Sequence, residues 1–220
     1  MKILFKRVML LPALLLNLCI LAQDDFKEGR IVYEMSYPGA QFDAQTLAML
    51  PTETTWYIKG EKVRMEQKMA MGMSSTTVVD GKAKEGFTLM DMMGNKTVIK
   101  MSAEQMKKMS ENAPKPNVKL SDETKTIAGY VCKKADVTDE KGNKSTVYYT
   151  QKIKARINKG QTGDIDGFPL EFQIKTPQLS ILMTATKLVS EKVDDSYFTI
   201  PPGYEEKSLD DFQKSLPGMH

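Results

Sequence analysis

The chain has 220 residues, with 31 basic and 28 acidic side chains, two cysteines and one histidine. That length suits one domain or two small ones. Three of the cations (Lys2, Lys6 and Arg7) stand in the first seven residues. The remainder is therefore balanced in charge, which excludes a general basic attraction to nucleic acid.

Those cations precede an almost wholly apolar run from Val8 to Leu21, and Ile20-Leu21-Ala22 ends on a small residue before Gln23, Asp24 and Asp25. This is the layout of a secretory signal peptide over residues 1–22, cut after Ala22. At about 14 residues the run is short for a membrane span. A retained anchor is the alternative. A lipid on Cys19 is another, although Asn17 and Leu18 make a poor lipidation signal before it. The expected location is the periplasm, with an extracellular one as the variant. Cys19 falls inside the leader, so Cys132 is left without an intramolecular partner and reads as a small buried hydrophobe.

Gly29–Tyr37 alternates as a first strand, broken by Pro38-Gly39. Gln41–Leu50 suits a short helix stopped by Pro51. Thr54–Lys59 is a strand with Trp56 and Ile58 inward, and Gly60-Glu61 fits a two-residue hairpin turn. Lys62–Met73 follows as a long strand with Val63, Met65, Met69, Met71 and Met73 of one parity. Ser74–Val79, Glu85–Met92 and Lys96–Met101 continue the meander, with turns at Asp80-Gly81 and Gly94-Asn95. Ser102 and Gln105 make a capping box that opens a helix to about Asn112, closed by Pro114 and Pro116. Lys115–Glu123 reads as polar linker.

Lys125–Val137 reads as a strand placed centrally in the sheet, carrying Cys132. A turn at Asp139–Asn143 leads to a strand over Ser145–Gln151. Lys152–Asp166, with Gly160 inside it, reads as a long loop. Pro169 opens a strand with Leu170, Phe172 and Ile174 alternating. The turn Thr176-Pro177-Gln178 leads to a long strand, Leu179–Val193. Ser208 and Asp211 can cap a terminal helix. Nine to eleven strands in one large antiparallel sheet are expected to curl. The expected organisation is a leader, 1–22, and a single β-rich domain, 23–220.

Four stretches carry a resemblance: Trp56-Tyr-Ile-Lys-Gly-Glu-Lys-Val-Arg-Met-Glu66, Val79-Asp80-Gly81, Lys125-Thr-Ile-Ala-Gly-Tyr-Val-Cys-Lys-Lys134 and Gly167-Phe-Pro-Leu-Glu171. Together they resemble an uncharacterised secreted family of Gram-negative bacteria, similar in fold to the lipoprotein carrier LolA and the receptor LolB. The resemblance implies a mainly β (α+β) fold: a strongly curved, half-open antiparallel β-barrel covered by two or three short helices. In those carriers the concave face holds acyl chains.

Catalytic chemistry finds no support. The only histidine is the last residue, His220, so neither a Ser-His-Asp nor a Cys-His set can form, and no cluster suits zinc. No Gly-rich phosphate loop is present. No catalytic residue, no metal ligand and no cofactor is assigned, and a non-enzyme is expected. The oddity is methionine, 16 in all. Trp56, Ile58, Val63, Met65, Met69, Met71 and Met73 are the candidate lining of an apolar cavity, because thioether side chains adapt to varied ligand shapes. The expected function is a binding or carrier module for a hydrophobic small molecule or acyl chain, monomeric, in transient contact with the envelope and without nucleic acid. The alternatives are an envelope interaction domain with a filled core, and a thioether site for Cu(I) to which Met90 and Met92 contribute from a second strand.

Overall fold

The structure, a computed structural model, describes residues 25–113, 115–153, 155, 162–163, 165–176, 179–209 and 211–212. The expected signal peptide with Cys19 lies outside them, as do Pro114, Gly160, Pro177-Gln178, His220 and the end of the terminal helix. A first meander runs through β1 (Glu28–Ser36), β2 (Glu53–Lys59), β3 (Lys62–Lys68), β4 (Ser74–Asp80), β5 (Glu85–Met92) and β6 (Asn95–Met101). A second runs through β7 (Asn117–Ile127), β8 (Tyr130–Thr138), β9 (Lys144–Thr150), β10 (Phe168–Lys175) and β11 (Ser180–Ser190). β1 pairs with β2 on one side and β11 on the other, which welds the meanders together, and β12 (Glu205–Lys207) adds parallel to β6. The sheet has 12 strands in the order β12-β6-β5-β4-β3-β2-β1-β11-β10-β9-β8-β7. It is open, with edges at β12 and β7, so the expected half-open barrel is replaced by an unclosed sheet. Two α-helices, α1 (Ala44–Met49) and α2 (Ala103–Glu111), accompany it among the described residues.

The inward positions explain the curl. Ile31, Tyr33 and Met35 alternate along β1, and Trp56 and Ile58 along β2, all buried. β2 and β10 are three strands apart in the sheet, yet the Trp56 ring lies 6.1 Å from Phe168 and 6.2 Å from Phe172. A flat sheet would hold those strands about 14 Å apart; only curling about this face brings the rings together. Tyr33 sits between them, 4.8 Å from Trp56, and its hydroxyl donates to the Pro169 carbonyl at 2.8 Å. Each such side chain removed from water contributes about 1.5–3 kcal/mol. Gly29 lets β1 and β11 approach closely: a Cβ there would lie 2.1 Å from the Val189 carbonyl oxygen of β11.

Two expected strands are redrawn. Lys125–Val137 is not one strand but a hairpin, turning at Ala128-Gly129 with φ of 46° and 87°, the two-residue turn whose twist suits flanking strands. It stands at the sheet's edge rather than its centre. The expected linker 115–123 is the start of β7, an outermost strand bulged between Leu120 and Thr124. Lys62–Met73 also breaks. β3 ends at Lys68, Ala70–Gly72 makes a single 3-10 turn, and β4 returns from Ser74.

β6 and β7 run in the same direction at opposite ends of the order, so the intervening residues must return a full strand length. α2 lies within that crossover and meets the sheet beside the β4–β5 turn. On the convex face, residues 191–204 run as a strap. Val193 and Phe198 bury against Val78, Tyr197 stacks on Tyr57 at 4.8 Å, and Lys59 Nζ donates to the Val193 carbonyl at 3.0 Å.

Candidate functional site

The register sorts every side chain of β3–β6 onto one face or the other, since paired residues share a face. On the concave side three rows cross these strands. They are Val63–Val79–Gly86–Met101, Met65–Thr77–Thr88–Ile99 and Gln67–Ser75–Met90–Thr97. Met69 and Met73 add a further row: both are extended, and the Met69 N–H donates to the Met73 carbonyl at 2.9 Å. One step past the Ser74–Asp91 pair, Met73 falls opposite Met92.

This face is uneven. Around Trp56, Ile58 and Val63 it is filled by the aromatic core, and Met65 packs against that core's margin. Over β4 and β5 it opens: Thr77, Val79, Thr88, Met90 and Met92 are half-buried. α2 spans the opening near the β4–β5 turn. Ala103, Met106, Lys107 and Ser110 lie at the 3.6-residue spacing of one helix face, and with Val79 and Gly81 they line a groove of about 580 Å³. A second groove of about 790 Å³ lies between Val78 and Phe87, the strap residues Phe198 and Ile200, and Met101, Ser102 and Gln105 where β6 gives way to α2. It is rimmed by Lys62, Asp80, Glu85, Lys100 and Glu206 and is more polar.

The expected lining residues therefore divide. Trp56, Ile58, Val63 and Met65 share the concave face, the first three as packed core. Met69 and Met73 stay on that face but lie on opposite sides of a chain reversal. Met71 does not join them: it takes φ 60° at the tip of the 3-10 turn and is 68% exposed. Thr77, Val79, Thr88 and Met106 belong to the open part and were not among the sequence candidates. The capping box at Ser102, which sets where α2 begins, was the one signal that pointed at them.

Titratable groups do not converge here. Among the described residues no group of three or more His, Cys, Asp or Glu is placed to hold a metal ion. The charged network lies elsewhere, on β7–β10. Lys134 and the Tyr148 hydroxyl both reach Glu123, at 2.9 Å each, and Lys125 bridges both Glu171 oxygens. Glu123 is pulled below the ordinary carboxylate range first by the Lys134 hydrogen bond, and Lys134 is raised by the same contact. Cys132 is fully buried, as expected.

A family model described as "N-glycanase peptide, N-terminal domain" matches residues 31–209, which is β1 through the start of the terminal helix. The chain belongs to this family. No curated protein matches it. Among solved structures, an uncharacterized conserved protein from Thermus thermophilus is similar with a TM-score of 0.52 at 9% identity, over 83% of this chain and 91% of that one. LprF from Mycobacterium bovis aligns with a TM-score of 0.35 at 12% identity, over 79% of this chain and 89% of that one. The family and the Thermus likeness support a bacterial β-rich fold; they do not single out the LolA and LolB carriers.

Proposed function

We propose that the domain is a binding module, not an enzyme. It takes an apolar ligand, such as an acyl chain, against the open part of its concave face beneath α2. The observation that carries this reading is the contrast within one face. The half over β1, β2 and β8–β11 is packed with aromatic rings. Over β4 and β5 methionine, valine and threonine stay half-buried, and a groove of about 580 Å³ lies against a helix that buries none of its own residues. A carrier of the LolA kind would need such a face, and export to the periplasm would place the protein among lipids. Trp56, Ile58 and Val63, with Met65 at their margin, form the rigid floor in this reading; Val79, Ala103 and Met106 line the groove.

The test is uptake of a fluorescent fatty acid. Wild type is expected to take it up. Val79→Asp and Met106→Asp should lose uptake while keeping the wild-type circular dichroism spectrum, because both side chains are only half-buried. Met109→Asp, on the exposed side of α2, should leave uptake intact. No uptake by wild type, or unchanged uptake in both groove variants, overturns the proposal.

A further inference from the structure

A row of thioethers stands at the rim of the same concave face, at the opposite end from α2. Met69 and Met73 face each other across the β3–β4 reversal, bound through the 2.9 Å Met69 N–H to Met73 carbonyl contact, and Met73 falls opposite Met92 on β5. Three methionines thus stand side by side at one level, Met69 and Met73 just past the ends of β3 and β4 and Met92 at the end of β5. Strands lie about 4.7–4.9 Å apart, and directly paired Cβ atoms about 4.5–5.5 Å. A fourth, Met90, is two residues down β5 on the same face, about 7 Å away along the strand. Along a single strand, thioethers on one face are too widely spaced to converge on a point. Across strands they are not, and three rotatable bonds let each sulfur swing toward a shared centre.

From this juxtaposition of Met69, Met73 and Met92 we infer a site for a soft monovalent cation, copper(I) or silver(I). Neutral, polarisable sulfur ligands select such ions over hard ones. The neighbours on this face, Gln67, Ser75 and Asn95, are uncharged, while Lys68 and Asp91 point to the opposite face by parity, so no carboxylate competes to recruit calcium or magnesium. Met35 is excluded as a ligand because it is buried and its sulfur accepts a hydrogen bond from Gln67 Nε2. Thioethers carry no proton to lose. Binding at this row is therefore independent of pH in the acid range, unlike binding at histidine or thiolate.

The experiment is anaerobic titration of the protein with Cu(I) against a chromophoric Cu(I) chelator. One equivalent should be held per chain. Met73→Leu and Met92→Leu, which conserve volume, should each weaken binding at least tenfold, and the Met69→Leu/Met73→Leu/Met92→Leu triple variant should abolish it without changing thermal unfolding. Met71→Leu and Met93→Leu, at the neighbouring hairpin tips, should have no effect. The affinity at pH 5 should equal that at pH 7. Failure of wild type to hold Cu(I), retention by the triple variant, loss through the tip variants, or loss on acidification each overturns the site. Because the row lies away from the α2 groove, fatty-acid uptake should be unaltered in the triple variant, so the two readings fail separately.

Discussion

Met71 and Met93 hold left-handed backbone at φ 60° and 55°, and both side chains stand in solvent, 68% and 70% exposed. An L-residue gives up roughly 1–2 kcal/mol in that conformation, and asparagine loses less because its short amide bonds locally. Met93-Gly94 is a two-residue turn with positive φ at both positions, the arrangement that favours Asn-Gly. Met93→Asn should raise stability by about 1 kcal/mol, read as a higher urea midpoint with unchanged slope; a lower midpoint would mean the thioether packs. Cys132 makes the opposite case, a side chain sealed in. Burial pushes its thiol up from 9.0 to about 11. Since the thiolate is the nucleophile, a thiol reagent at pH 8 should label the native protein slowly and the denatured chain at once. Between pH 9 and 11 the folded protein keeps a proton that the unfolded chain has released. Its contribution to stability is thus complete below pH 9 and lost as pH rises toward 11. Urea melts at pH 8 and pH 10.5 should show the fall, and Cys132→Ala should narrow it. Tyr33, buried and held neutral in the same way, accounts for part of the remainder.

At the scale of elements, α2 was legible from four residues because its signal is local. Ser102 Oγ accepts from the Gln105 N–H at 3.3 Å, and Gln105 Oε1 accepts from the Ser102 N–H at 2.8 Å. Ser102→Ala should cost about 1 kcal/mol and loosen the cover of the groove, seen as faster amide exchange over residues 103–111. The β3–β4 reversal was illegible for a definite reason. A three-residue turn leaves Met69 and Met73 with the same parity they would have on a continuous strand, so alternation carries no mark of the return. β7 was missed because this outermost strand touches the core only near its ends, through Val118 and Ile127, and faces water between them. Its charged residues obey no period of two, and its bulge sets Ser121, Asp122 and Glu123 against Lys134 alone. The same charges and bulge discourage a second chain from adding to that edge. The open part of the concave face was half legible. Methionine content announced it, but which thioethers meet depends on cross-strand register, which the turns fix and composition does not.

At the scale of the whole molecule, the strap holds the convex face as the aromatic core holds the concave one. Phe198 buries against Val78 and Val193, with the Lys62 ammonium 5.9 Å from its ring centre. Phe198→Ala should cost about 3 kcal/mol and release residues 193–207 to rapid amide exchange, leaving the core signals in place. The weld between β1 and β11 has a consequence for how the protein is made. β1 pairs with residues 182–190, some 150 positions further along the chain. During synthesis the first meander is complete long before its partner exists, with Ile31, Tyr33 and Met35 waiting beside an unpaired strand edge. Closure is the last event and a distant one, the kind of contact that slows folding and leaves intermediates prone to associate. A chain stopped at Thr176 should therefore form soluble oligomers or aggregate on light scattering, whereas the chain carried through Lys207 should not. For this protein the hazardous interval is the delay between the arrival of the first strand and that of the eleventh in the compartment where it folds.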